Sequence, residues 1–378
     1  MRHRLTKNSF IRPAALLPVL CLMLLCGCGR GRTVSASCAV KEDTEFGAAL
    51  TAFSREQFDA FGFAPGDSVD VAFEGGPDLT DVPYFTGYYV RTGCHVVVAY
   101  PGDPFVSVTA SNTGIWKQEN LREGQGITIT LREKGKYLSA QETMSQTYSF
   151  DRADYESDEQ FANLRGLSGG SLKEGAVYRG ASPVDDSRGR AATVSALLER
   201  YGIGFVLDLA DTEETLAAKT AEADYRSEEL KVLYEEGRVS LLGLNADYTA
   251  DAYRQKLAAG LTAAAASEGP IYVHCLEGKD RTGFVCLLLE ALAGADCDEL
   301  LADYMLTYRN YYGITAEDTP EKYNAVKDVY FGAFCEFLWG TVDLAALRAM
   351  DLSAAAEDYL LSAGMTEETL AALLDRIT

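Results

Sequence analysis

Between Pro270 and Leu292 the chain reads PIYVHCLEGKDRTGFVCLLLEAL. An apolar strand enters, a short loop containing Gly278 follows, and an apolar helix leaves. This unit does not stand alone. VYRGAS at Val177, GFVLDLA at Gly204 and SLLGL at Ser240 are further strand candidates. They alternate with helical stretches such as AATVSALLERY at Ala191 and the alanine-rich run from Ala250 to Ser267. Alternation of this kind predicts an α/β fold with a mainly parallel sheet flanked by helices. The last third reads as helical, and its final helix starts at Thr366-Glu367-Glu368 with Leu370, Leu373, Leu374 and Ile377 on one face.

The loop carries the chemistry. Cys275 and Arg281 are separated by five residues, and in a chain with nine cysteines that spacing alone discriminates poorly. Joined to His274, Gly278, Thr282 and the strand–loop–helix setting, it becomes specific. A loop at a helix N-terminus turns backbone N–H groups inward and makes a cradle for a phosphate dianion. The same field stabilises a thiolate at Cys275. Arg281 can grip two phosphate oxygens and stabilise transition-state charge. Gly278 permits a tight turn where a Cβ would block the phosphate. Thr282 can donate its hydroxyl to the departing thiolate. His274 reads as a residue that orients the loop rather than one that transfers protons.

HCLEGKDRTG resembles the signature loop of the cysteine-dependent tyrosine and dual-specificity phosphatases, and within them the bacterial tyrosine phosphatases with a Gly-Lys-Asp-Arg-Thr-Gly loop. FANLRGLSGGSLKEGAVYRGASP, from Phe161, is similar to that family's opening segment, and DYMLTYRNYYGI, from Asp303, to its exit. The resemblance implies a two-step reaction in which Cys275 takes the phosphoryl group and water then hydrolyses the phosphocysteine. It implies no metal or other cofactor. Cys275, Arg281 and Asp280 are the expected catalytic residues, and Leu276, Glu277, Gly278, Lys279 and Thr282 the expected substrate contacts. Asp280 is favoured as general acid, with Asp208 and Asp247, on strand-end loops, as alternatives. Lys279 adds a second cation at the rim, a feature associated in related phosphatases with inositol phosphates or phosphoinositides. Glu277 opposes it with a negative charge in the same loop. Arg179, in VYRGAS, reads either as a brace for the site or, the favoured reading, as half of a structural ion pair, and Cys286 as a packed thiol.

The N-terminal part follows a different pattern. Arg2, Arg4, Lys7 and Arg12 precede an apolar stretch from Ala14 to Leu25, too short to span a bilayer and suited to a signal peptide. It ends in Leu25-Cys26-Gly27-Cys28, which resembles a bacterial lipobox and implies cleavage after Gly27 and a lipid on Cys28. The expected location is the bacterial cell surface or periplasm, with the membrane reached through the anchor alone. The net charge of −22 falls to −26 without that segment, which carries four basic residues and no acidic one. Such a chain lacks the basic footprint of a nucleic-acid binder and will not bind anionic lipid electrostatically. Its few histidines and the absence of any Cys-x-x-Cys pair argue against a zinc site. Cys38 and Cys94 could be bridged outside the cell, a pairing that sequence leaves open.

From Thr33 to Ser149 the texture is β-rich. SVDVAF at Ser68, YFTGYYV at Tyr84, CHVVVAY at Cys94, FVSVT at Phe105 and GITITL at Gly126 read as strands divided by turn signals. They suggest a small barrel or sandwich whose tyrosines and phenylalanines either fill its core or form a binding surface. The expected organisation is a signal peptide over 1–27, a β-rich accessory domain over 28–150 and a catalytic domain over 151–378. The expected substrate is a phosphorylated protein or small phosphomonoester. Phosphotyrosine is the simplest; phosphoinositides or inositol phosphates form one alternative, and catalytically idle phosphate binding another.

Overall fold

The computed structural model describes residues 34–44, 46–222 and 225–378, so the expected signal peptide and Cys28 lie outside the described residues. Two sheets organise the chain. The first has eight strands: β1 (Ser35–Ala39), β2 (Lys41–Glu42), β3 (Ala49–Leu50), β4 (Ser68–Phe73), β5 (Asp78–Phe85), β6 (His95–Val98), β7 (Ser107–Ala110) and β8 (Gly126–Glu133). Their order is β1-β8-β4-β5-β6-β7-β3-β2. The two outermost strands, β1 and β2, are consecutive in the chain with only Val40 between them. The sheet therefore curls back on itself into a nearly closed, barrel-like unit, which leaves little open edge. Strand β8 shows the alternation that makes this possible: Ile127 and Ile129 are buried while Thr128 and Thr130 are half-buried on the other face. A helix at Arg55–Phe61, begun by a Ser54–Gln57 capping box, covers one end of the barrel. Phe58 stacks on Phe63 with ring centroids 4.1 Å apart and meets Tyr84 edge-on at 5.1 Å. These aromatics fill the core, while Tyr100 and Phe105 stay exposed.

One strand expectation needs correcting. YFTGYYV is not a strand as a whole: β5 ends at Phe85, and Thr86–Val90 leaves the sheet. The Tyr89 ring folds over Gly87 so closely that a Cβ there would meet it at 2.5 Å, and Tyr89 packs against the second core. Cys38 and Cys94 are not bridged; the Ala52 N–H donates to the Cys38 Sγ at 3.4 Å.

The second sheet comprises β9 (Arg165–Gly166), β10 (Val177–Gly180), β11 (Phe205–Asp208), β12 (Val239–Leu241) and β13 (Ile271–His274) in the order β12-β11-β13-β10-β9. Four strands run parallel and only the edge strand β9 is antiparallel. Strand β13 lies at the centre, with Val273 level with Arg179 on one side and Leu207 on the other. Helices cover both faces, which is why the central strands β11 (FVLD) and β13 (IYVH) read as mainly apolar runs. Leu197, Leu198 and Leu233 pack over Val206 and Tyr272 on one side. Leu257, Leu261, Phe284 and Leu288 pack with Leu207 and Val273 on the other. The helix Asp280–Leu292 is buried from Thr282 onward, so it is hydrophobic all round rather than amphipathic. No helix among the described residues is long and apolar enough to cross a membrane.

Candidate active site

Strand β13 delivers His274 to the carboxyl edge of the sheet, the place where open α/β sheets bind ligands. Cys275 follows, 4% exposed, then Leu276 to Lys279, and the helix begins at Asp280. Gly278 turns this loop with φ +66°, and a Cβ there would stand 2.2 Å from the Gly180 carbonyl oxygen. Only glycine fits, because both the left-handed backbone and the close approach exclude a side chain. The carbonyls of Leu276, Glu277 and Gly278 are tied away from the loop's centre. Leu276 O accepts the Ser182 N–H at 3.0 Å. Glu277 O accepts the Tyr311 hydroxyl at 2.8 Å. Gly278 O accepts Nη2 of Arg179 at 2.9 Å and Nδ2 of Asn163 at 3.3 Å. By contrast, the N–H groups of Leu276, Glu277, Gly278 and Lys279 donate to no protein acceptor among the described residues. With the carbonyls so occupied, four backbone donors stand free at a helix N-terminus, a setting suited to a phosphate dianion.

A family model described as "Tyrosine phosphatase family" matches residues 159–378. The chain belongs to the tyrosine phosphatase family. The match covers the whole second sheet and the helices after it, and supports phosphatase activity of the chain in the broad sense. No curated protein matches significantly. Among solved structures, the crystal structure of an uncharacterized conserved protein from Thermotoga maritima matches at 20% identity with a TM-score of 0.22, over 25% of this chain. The chain spans about a third (35%) of that protein.

Around the Cys275–Arg281 loop the remaining candidates take distinct places. Nη1 of Arg281 donates to the Leu244 carbonyl at 2.7 Å, which fixes one edge of the guanidinium and leaves its other N–H groups for a ligand. The Thr282 hydroxyl is fully buried and has no hydrogen-bond partner among the described residues. His274 is also fully buried; its Nδ1 lies 3.2 Å from the Cys275 carbonyl oxygen and its Nε2 3.7 Å from Asp208 Oδ2. Asp208 in turn accepts the N–H groups of Ala210 and Asp211 through Oδ1, at 2.8 and 3.0 Å. That carboxylate closes a turn at the end of β11 behind the histidine. Asp247 likewise caps its own turn, accepting the Thr249 hydroxyl at 2.6 Å. Asp280 differs from both, with a side chain 61% exposed at the first position of the helix. Cys286 is buried and burial pushes its thiol up, offset only in part by Arg179, so it is a packed thiol.

Lys279 lies 3.7 Å from both Glu277 Oε2 and Asp280 Oδ2, with its ammonium 5.9 Å from the centre of the Tyr308 ring. Burial works against its charge, but Asp280, Tyr312, Tyr308 and Glu277 outweigh it and hold the ammonium well above its ordinary range. Glu277 shows the reverse case. Burial disfavours its charge, yet Lys279, the Tyr148 hydroxyl, Arg188 and Arg190 together keep the carboxyl below its usual range.

Several residues that the loop motif does not announce hold it in place. Arg179 is 1% exposed and bonds both Gly278 O and Asp303, so it is a brace for the loop as well as an ion-pair member. Asp303 is shared with Arg165, whose Nε donates to it at 2.6 Å and whose Nη1 donates to Asn163 Oδ1 at 2.9 Å. The signal for them was present in the segments FANLRG and DYMLTYRNYY, which carry these partners on both sides of the loop in sequence.

Proposed function

We propose that the chain is a cysteine-dependent phosphomonoester hydrolase, with phosphotyrosine as its most direct substrate. The observation that carries this reading is the set of loop N–H groups after Cys275 that have no acceptor among the described residues while the carbonyls of Leu276, Glu277 and Gly278 are bonded elsewhere. In the first step the Cys275 thiolate attacks phosphorus; the P–S bond forms as the ester P–O bond breaks. The Asp280 carboxyl gives its proton to the leaving oxygen. Loop N–H groups and the free edge of Arg281 bind the equatorial oxygens, whose charge is held most strongly in the transition state. In the second step water attacks phosphorus, Asp280 takes its proton, and the P–S bond breaks to release inorganic phosphate. The unpartnered Thr282 hydroxyl supports the departing thiolate. Leu276, Glu277, Gly278 and Lys279 supply the backbone of the cradle, and His274 with Asp208 fixes its entry from β13. Catalysis at a membrane surface follows from lipidation of Cys28.

Cys275→Ser abolishes phosphate release while retaining phosphate binding; turnover at the wild-type level by that variant overturns the assignment. Asp280→Asn slows phosphotyrosine hydrolysis by about 10²-fold or more, and slows an activated aryl phosphate less because its leaving group needs little protonation. Equal losses on both substrates move the acid role to another group. A panel of phosphopeptides, phosphoinositides and inositol phosphates identifies the substrate, and turnover of the latter two alone shifts the reading to the Lys279 rim.

A further inference from the structure

Glu277 places a carboxylate inside a loop whose task is to bind a dianion, and the structure surrounds that carboxylate with groups from outside the loop. The Tyr148 hydroxyl, on the segment that joins the two sheets, donates to Glu277 Oε1. Nε of Arg188 lies 3.6 Å from the same oxygen, and Nζ of Lys279 3.7 Å from Oε2. Tyr148 is itself held firmly. Its ring stacks on Tyr311 at 4.9 Å, and the Arg190 guanidinium lies 4.9 Å from the centre of the Tyr148 ring and 4.7 Å from that of Tyr311. Arg190 is 1% exposed and donates to the Phe161 carbonyl at 2.7 Å, so the stack is fixed to the catalytic unit rather than lying loosely on it. Tyr311 completes the arrangement by donating to the Glu277 carbonyl, so one aromatic pair binds both the side chain and the backbone of the same residue.

We propose that Tyr148 is a positioning residue: it holds the Glu277 carboxylate against the inter-sheet segment and so keeps negative charge out of the phosphate cradle. The proposal rests on the phosphatase reading of the loop and adds a part for the segment that precedes the catalytic domain. Charge at this position repels the phosphate of substrate and transition state alike, so its effect falls on binding more than on turnover.

The test is a double-substitution cycle in the full chain, using p-nitrophenyl phosphate as substrate and inorganic phosphate as inhibitor. Tyr148→Phe keeps the ring stack and removes only the donor. The expected result is a rise of about fivefold in KM and in the inhibition constant for phosphate, the order of one net hydrogen bond, with kcat within about twofold. In a Glu277→Gln background the same Tyr148→Phe change moves both constants by less than about twofold, because no charge remains to be held. Two outcomes overturn the proposal: unchanged constants in Tyr148→Phe, or an equally large effect of that change in the Glu277→Gln background. The second would show that Tyr148 acts through the fold alone. Calorimetric titration of inorganic phosphate into Cys275→Ser chains carrying the same substitutions reads the same coupling without turnover. Failure of this proposal is thereby separated from failure of the phosphatase assignment.

Discussion

The two units of the molecule treat charge in opposite ways. In the barrel-like unit, Asp67 is the one fully buried charged residue among those described, and it serves the fold: it accepts the Ala64 and Gly135 N–H groups and pairs with Lys134. The other ion pairs within it among the described residues, Arg55–Asp59, Arg132–Asp70 and Lys136–Asp81, lie at the surface, where such pairs add little to stability. The catalytic unit buries Arg179, Arg190, Asp208, Asp211, His274 and Glu290, and several of these stand directly behind the Cys275–Arg281 loop. Burying charge costs free energy unless partners are placed well. The barrel's core of Val, Ile and Phe avoids that cost, while the catalytic unit bears it where backbone carbonyls must be pointed away from a ligand. The difference teaches where to look for function: the catalytic unit gathers buried ionisable side chains such as Arg179, Asp208 and His274 around the Cys275–Arg281 loop, whereas the barrel has the single case of Asp67 among the described residues.

Glycine substitutions test that contrast most severely. Gly278→Ala drives a Cβ into the Gly180 carbonyl and must displace the loop. A loss of about 10²-fold or more in kcat/KM is expected, comparable to removing an oxyanion donor. Gly66 in the barrel is as restricted locally, with φ +97° and a Cβ that would lie 2.7 Å from the Leu138 backbone. Gly66→Ala should lower the unfolding temperature and leave kcat/KM of the folded chain unchanged. If Gly66→Ala impairs catalysis as deeply, the two units are not separable in function.

Next in size is the buried carboxylate of Asp303. Asp303→Asn strands the charges of Arg165 and Arg179 and is expected to cost about 3 kcal/mol in urea unfolding, with a fall in kcat/KM because Arg179 holds the Gly278 carbonyl. Asp67→Ala in the barrel should cost about 2 kcal/mol through its two freed N–H groups and spare kcat/KM. The Asp303 pair also predicts a pH dependence. Burial opposes its charge, but Arg165 and Arg179 overcome that and hold the carboxyl below its ordinary range. A depressed acid contributes stability that is complete above the ordinary Asp value of about 4 and is lost as pH falls through the folded value. The stability difference between wild type and Asp303→Asn should therefore shrink on acidification below about pH 4. A difference that stays constant there would show that Asp303 is not ionised in the folded chain.

How much of this was legible in sequence follows the range of the interactions. Strands β11 and β13 are covered on both faces and so read as short, mainly apolar runs, and the Cys275 loop reads as strand, glycine turn and helix. Strands β2 and β3 have two residues each, and β3 pairs with β7 far along the chain, Ala49 opposite Val108; no local period encodes them. Tyr84–Val90 has the composition of a strand throughout, yet Tyr89 leaves the sheet to pack on the catalytic core. The site divides in the same way. The residues of the proposed phosphate cradle are contiguous in sequence, whereas those that hold them are not: Arg165 and Asp303 lie 138 positions apart, and Tyr148 lies 129 positions from Glu277. Motifs announce the first group, and only the fold assembles the second.

The smallest expected effect concerns the contact between the units. Thr92, on the loop after β5, shares a hydrogen bond with the Tyr248 hydroxyl at 2.7 Å and accepts Nδ2 of Asn112 at 2.8 Å. Tyr248 stacks on Phe284 of the helix that carries Arg281, with centroids 4.5 Å apart. Nearby, Arg91 and Glu336 form an exposed pair at 3.3 Å that contributes little. Thr92→Val keeps the shape and removes the hydroxyl, so it isolates the polar link from the packing around it. The expected cost is about 1 kcal/mol in unfolding free energy, with kcat/KM within about twofold of wild type, because the stack on Phe284 and the Arg281–Leu244 hydrogen bond do not depend on that hydroxyl. A tenfold loss of kcat/KM without a matching loss of stability would mean that the barrel sets the position of Arg281 through Tyr248, and the division of labour drawn between the units would have to be abandoned.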